Sequence, residues 1–291
     1  MALAPVSTYM MHKSALLALL LACAGQVAAQ STEKLRRPVA LAPELQAAVV
    51  LAEGDYVYFS LGGRRETESF PGRNPSLGLD FLNLAAGYEH NWNPQWSWGA
   101  TLRYANEPAL SSKRSALVPG LLVRHRAAVG PVQFGQRLGV EYAIGEAEYN
   151  ASPFPTTSVY SRTLLRLRLD VEKSIRLGSQ PDGFALRPRV SFEPALFLRL
   201  QKTDLDADKR TVDFTSLRGE IGVQAGPQLT LTPWVGMQTN YSSLVVQFDK
   251  NNMPTSNGKL NASTPVVGLD LRYTFLGSRP GADWQQLPTQ N

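Results

Sequence analysis

Arg162-Thr-Leu-Leu-Arg166-Leu-Arg168-Leu-Asp170-Val-Glu172 and, after the break Gly178–Gly183, Phe184-Ala-Leu-Arg187-Pro-Arg189-Val-Ser-Phe-Glu193-Pro-Ala-Leu-Phe-Leu-Arg199 decide the fold. In the first run Arg162, Leu164, Arg166, Arg168, Asp170 and Glu172 share one parity, and Thr163, Leu165, Leu167, Leu169 and Val171 share the other. In the second, Phe184, Leu186, Val190, Phe192, Leu196 and Leu198 alternate with Arg187, Arg189, Ser191, Glu193 and Arg199. Side chains alternate faces along a strand, so the two runs form a hairpin with one greasy face and one charged face. A helix would scatter these arginines around its circumference. A transmembrane barrel has this arrangement, apolar toward lipid and charged toward the lumen. A half-exposed hairpin in a soluble, secreted β protein is the competing reading.

The rest of the chain bears on that choice. Its 291 residues suit one large β domain. Charged residues make up 18%, against roughly 25% in ordinary soluble domains. Beyond the N-terminus there is no run of about 18 apolar residues, so no transmembrane helix is expected. The net charge of +5 is modest and the arginines are spread through strands, which argues against a nucleic-acid partner.

Residues 1–29 read as a secretory signal: His12-Lys13, the apolar Ala15–Ala24, and Val27-Ala28-Ala29 as cleavage site. The sole cysteine, Cys23, lies inside it, so lipoprotein processing at Cys23 stands as an alternative to cleavage after Ala29. Residues 30–53 are an N-terminal segment in which Pro43 precedes a possible short helix. Residues 54–276 form the barrel, and residues 277–291 a C-terminal tail.

Within 54–276 the expected class is all-β: an antiparallel up-and-down transmembrane barrel of about ten strands. Tight turns are expected at Asn93-Pro94-Gln95, Gly130-Pro131, Gly178–Gly183 and Gly226-Pro227-Gln228, alternating with long polar connections such as Arg64–Ser76 and Leu244–Ser263. Outer-membrane barrels have short periplasmic turns and long external loops. An even strand count would place both termini at the short-turn end. Aromatics fall near the two ends, Trp92, Trp96, Phe134, Phe184, Tyr273 and Phe275 at one and Tyr58, Tyr104, Tyr142 and Tyr241 at the other.

The last strand, Gly268-Leu-Asp-Leu271-Arg-Tyr273-Thr-Phe275, resembles the closing strand of bacterial outer-membrane β-barrel proteins, including small porin-like barrels. The resemblance spans about Asp55–Phe275. It implies a Gram-negative cell envelope, an outer-membrane location, surrounding outer-membrane lipid, and recognition of the closing strand by the barrel-insertion machinery. It names an architecture and no activity.

A search for chemistry returns little. The mature chain has two histidines, His90 and His125, both near short turns; neither is assigned a catalytic role, and no cofactor or metal site is expected. Asp204-Leu-Asp206-Ala-Asp208 has calcium-loop spacing, but Lys209 stands where the loop needs glycine. What remains is the inward parity: Arg166, Arg168, Asp170, Glu172, Arg187, Arg189, Glu193, Arg218, Glu220, Asp270 and Arg272, read as a barrel-interior charge network. The function expected is a non-enzymatic barrel, with an envelope role or a narrow Arg-rich pore. The alternatives are a lipid-modifying or proteolytic barrel enzyme and a soluble secreted protein. Pro188 and Pro194 share a parity, and a closed barrel is expected to place them at bulges or above the membrane band. Arg189 is expected to matter more to stability than Arg199.

Overall fold

The computed structural model describes residues 32–51, 55–68, 79–108, 112–149, 156–177, 184–199, 211–243, 247–248, 254–256 and 259–275. The signal, the Gly178–Gly183 break, the Asp204–Asp208 loop and the tail lie outside them. In chain order the strands are β1 (Thr32–Arg36), β2 (Ala40–Val50), β3 (Tyr56–Glu66), β4 (Phe81–Asn91), β5 (Trp96–Pro108), β6 (Ser112–Val129), β7 (Val132–Tyr149) and β8 (Thr156–Lys173). They continue with β9 (Ile175–Leu177), β10 (Phe184–Arg199), β11 (Val212–Ala225), β12 (Leu229–Ser243), β13 (Gln247–Phe248), β14 (Pro254–Ser256) and β15 (Lys259–Phe275).

Eleven of these close into a barrel in the order β2-β3-β4-β5-β6-β7-β8-β10-β11-β12-β15, and β15 pairs back onto β2. Every seam is antiparallel except that last one, which is parallel and runs from Val266↔Ala40 to Phe275↔Val49. Each turn reverses the chain, so an odd number of strands leaves the first and last pointing the same way. β1 extends β2 upward along β15, and β9 prolongs β8 beside β10. β13 and β14 pair with each other, off the barrel.

Residues 40–50 are therefore a wall strand and not a helix. Alternation decides it: Ala40 and Glu44 are buried inward while Leu41 and Leu45 face out. The proline that suits a first helical turn is equally at home here. Leu269↔Pro43 is intact, and the ladder to β3 skips from Leu41↔Arg65 to Glu44↔Gly62. The eleventh strand also overturns the expectation of both termini at one end. β2 starts at the long-loop end, where β1 lies, whereas β15 finishes at the short-turn end.

The outward parity is an apolar belt. Leu45, Phe59, Leu84, Leu102, Leu121, Leu138, Val171, Val190, Leu217, Val235 and Leu269 are all exposed large hydrophobics on successive strands of the barrel. A belt of this kind facing out, with charge facing in, is the surface of a transmembrane barrel. Trp92, Trp96, Trp98, Phe134, Phe184, Tyr273 and Phe275 ring the short-turn end, with Tyr104 and Tyr142 toward the other. Tyr58 is not part of a girdle. It points inward, is buried, and covers Gly87 of β4, where a β-carbon would overlap its ring.

The short turns use the expected residues. Gly130 and Gly226 have φ of 59° and 83°, a region open to glycine. Asn93 Oδ1 accepts from the N–H of Gln95 and of Trp96 at 2.8 and 2.9 Å, which fixes the β4–β5 turn.

Candidate functional site in the barrel lumen

Strand alternation places a charged group on the inner face of nearly every strand. Among the described residues, six arginines (Arg124, Arg137, Arg168, Arg189, Arg218, Arg272) and seven carboxylates (Glu44, Glu66, Asp80, Glu89, Glu193, Glu220, Asp270) are buried. Such groups survive out of water only when paired.

The pairing falls into two clusters. In the first, Glu141 accepts from Arg103 and Arg166 at 2.8 and 2.9 Å, and Glu193 accepts from Arg137 and Arg166 at 2.7 Å each. Arg168 approaches Asp170 at 4.0 Å and donates to Ser191 Oγ at 3.3 Å. Arg124 lies 3.3 Å from Glu89, which also accepts from Ser97. In the second, Arg187 Nε donates to Glu172 at 2.8 Å, Arg189 bridges Glu172 and Glu220, and Arg218 bridges Glu220 and Asp270. Trp234 Nε1 donates to the other Asp270 oxygen at 2.8 Å, and the Arg218 guanidinium lies 4.0 Å over the Trp234 ring centre. Arg272 Nε donates to Gln46, and Gln46 donates to Glu44 at 2.6 Å.

All eleven residues assigned to the interior from sequence thus sit on the inner face. Their partners are in places diagonal. Glu193 on β10 takes Arg166 from β8 and Arg137 from β7, one strand further on. The sequence reading missed Glu44 and Gln46, because their segment was read as a helix. It also missed Trp234, which lies flat over Gly268. A β-carbon at Gly268 would overlap the indole, so this glycine of the closing strand makes room for an interior side chain. Leu271, Tyr273 and Phe275 of the same strand face out, and Tyr273 packs edge-on to Phe275 at 4.8 Å. Arg199 pairs with Thr163, an outward-parity position, because the register shifts after Phe197. Nothing beyond that backbone register is described for it.

The two histidines are on the outer wall at the short-turn end. His125 stacks on Trp96 with ring centres 4.5 Å apart. His90 Nδ1 is 2.9 Å from Asp55 Oδ2, which also accepts from the Tyr88 hydroxyl at 2.6 Å. Partial burial opposes ionisation of Asp55, but the bonds from Tyr88, His90 and the Asn91 N–H outweigh it and hold the carboxyl below its ordinary value. No group of three His, Cys, Asp or Glu side chains among the described residues could hold a metal ion.

No protein-family model matches the chain, and no curated protein matches it. Among solved structures, LpxR from Salmonella typhimurium is similar with a TM-score of 0.40 and 8% identity, over 75% of this chain and 83% of that one.

Proposed function

We propose that this protein is a non-enzymatic barrel of the bacterial outer membrane whose interior is closed by paired charge, serving the envelope structurally instead of conducting solutes. One observation carries this reading: lumen-facing charges in the short-turn half of the wall are buried. Glu89 and Asp270 are each 1% exposed and Arg124 is 2% exposed, whereas a water-filled pore would leave its charged lining wet. An eleven-stranded barrel is only slightly wider than the roughly eight-stranded one that side chains just fill. On β3 and β4 the inner parity is small, Ser60, Gly62, Ala85 and Gly87, and the side chains of Glu44 and Tyr58 lie against Gly62 and Gly87.

Its partners under this reading are outer-membrane lipid around the apolar belt and, during biogenesis, the barrel-insertion machinery reading the closing strand. Purified protein in planar bilayers should give no steady current. Sustained ion-selective channels would overturn the closed lumen and favour the narrow pore.

The enzyme reading has one observation in its favour, the His90–Asp55 pair with Tyr88 beside it. An acid–base dyad needs such a carboxylate. Hydrolysis of lipid or peptide by the purified barrel, lost in His90→Ala, would establish it.

A further inference from the structure

One stretch of the outer wall is concave. From β2 to β6 an open groove of about 560 Å³ runs across the apolar belt. That volume falls in the range of small-ligand pockets, roughly 300–1,000 Å³. The ladders show how the groove arises. Leu45, Leu61, Leu84 and Tyr104 stand side by side in one outward row. In the next row toward the short turns, Ala47 and Ala86 stand on either side of Phe59. Neighbouring strands lie about 4.8 Å apart, so each alanine leaves a gap between large side chains. Across its five strands the groove is about 19 Å long, close to the depth of one leaflet of a hydrocarbon core roughly 30 Å thick.

The groove has a polar end. Asn106 Nδ2 donates to the Tyr104 hydroxyl oxygen at 3.3 Å, and both side chains are exposed. The hydroxyl keeps its own proton for an acceptor outside the protein. Asn106 lies on the same face as Tyr104, two residues nearer the long-loop end. The ester carbonyls at the head of a membrane lipid are such acceptors, and its chains are apolar. A chain one carbon wide enters gaps of this size and restores the dispersion contacts that a gap forfeits. The convex wall of a second barrel does not fit into them.

We propose that this groove is a specific site for one acyl chain of an ester-linked lipid of the outer leaflet, with the ester held at Tyr104 and Asn106. The site rests on the outer-membrane reading and is independent of whether the lumen conducts. It turns one part of the belt from a general lipid surface into a place that holds a particular molecule.

The test is to reconstitute the barrel in phosphatidylethanolamine vesicles containing a trace of the same lipid with a photoactivatable diazirine in one acyl chain. After irradiation, labelled peptides are mapped by mass spectrometry, and heat-modifiable gel mobility reports that the barrel is folded. A site strengthened by one hydrogen bond should collect about fivefold more label on β3 to β5 than the belt collects around Val190 and Leu217. Ala86→Phe fills a gap and should bring β4 down to that background; should it fail to fold, Tyr104→Phe, which removes the hydroxyl, should lower the labelling about fivefold. Equal labelling around the belt of a folded, inserted barrel would overturn the groove and leave the outer-membrane reading standing. Cross-links joining two copies through Leu84 or Ala86 would put a second chain in the groove and overturn the lipid site. Protein that stays out of the vesicles would overturn the outer-membrane reading and the groove with it.

Discussion

Arg189 lies between Glu172 and Glu220 and is buried, whereas Arg162 reaches Asp213 at 3.8 Å with its side chain 38% exposed. The same substitution therefore does different things. Arg189→Leu leaves two carboxylates facing a void where a cation was, a change worth about 3–5 kcal/mol. Arg162→Leu removes a screened contact worth about 1 kcal/mol or less. Urea unfolding in liposomes should show a clearly lower midpoint for Arg189→Leu and a near-native one for Arg162→Leu; equal midpoints would mean a hydrated lumen. At the short-turn rim, Asp55 has its carboxyl held below the ordinary value by Tyr88, His90 and Asn91. A depressed folded value means that the stabilisation is complete above the unfolded value of about 3.9 and is lost as pH falls through the folded one. Asp55→Asn should accordingly lower the unfolding midpoint at pH 7. The gap from wild type should narrow only well into acid, below about pH 4; a gap that does not change with pH would remove the charge from this account.

Prolines are treated by the strands in a way that the closed-barrel argument did not foresee. Pro188 and Pro194 sit neither above the belt nor in bulges of their own. On the β11 side both are regularly paired, with Ile221 and Thr215, although the register shifts just beyond Pro194. On the β8 side the ladder runs from Arg189↔Glu172 to Phe192↔Leu169, resumes at Ala195↔Arg166, and breaks between β8 and β9 opposite Pro188. Pro43, Pro119 and Pro233 repeat the pattern, each paired on one seam and skipped on the other. A residue in an antiparallel strand sends its N–H to one neighbour only, so a proline interrupts one seam and spares the other. Pro194→Val should then change little. The regained donor is worth about 1 kcal/mol, and losing the proline's restraint on the unfolded chain costs about 0.4–1 kcal/mol. Val190→Pro would add a third gap to the same seam and should stop the barrel from reaching its heat-modifiable form. A large loss of stability in Pro194→Val, or a folded Val190→Pro, would contradict this account of the seam.

An odd strand count has a consequence for the whole molecule. β1 lies at the long-loop end and β15 ends at the short-turn end, so the two ends of the barrel sequence open on opposite faces. With cleavage after Ala29, the new N-terminus is close to Thr32 at the long-loop rim. An epitope placed after Gln30 should be reached by antibody on intact cells, and one appended after Asn291 only after the outer membrane is permeabilised. Labelling of both from the same side would require an even-stranded barrel.

Parity along single strands was enough to determine the class of fold, the lipid-facing residues and the inward charges. Alternation is a local property, and Arg166-Leu-Arg168-Leu-Asp170 shows it without reference to any neighbour. The short turns were legible for the same reason, since Gly130 and Gly226 supply the backbone freedom where the chain reverses. What the tertiary structure alone decided depends on neighbours. Ala40–Val50 becomes a strand because β15 offers it an edge, whereas its own Pro-Glu-Leu-Gln-Ala-Ala composition suits a helix as well. The register shift that sets Arg199 opposite Thr163 arises in the pairing of two strands. Gly268 needs Trp234 from another strand to explain it, and Arg124, Arg137 and Arg168 stand in one row only because the registers of three strands align them. The sequence specifies which face a side chain takes; which carboxylate an arginine meets is set by barrel closure and stagger, which bring distant strands to one height.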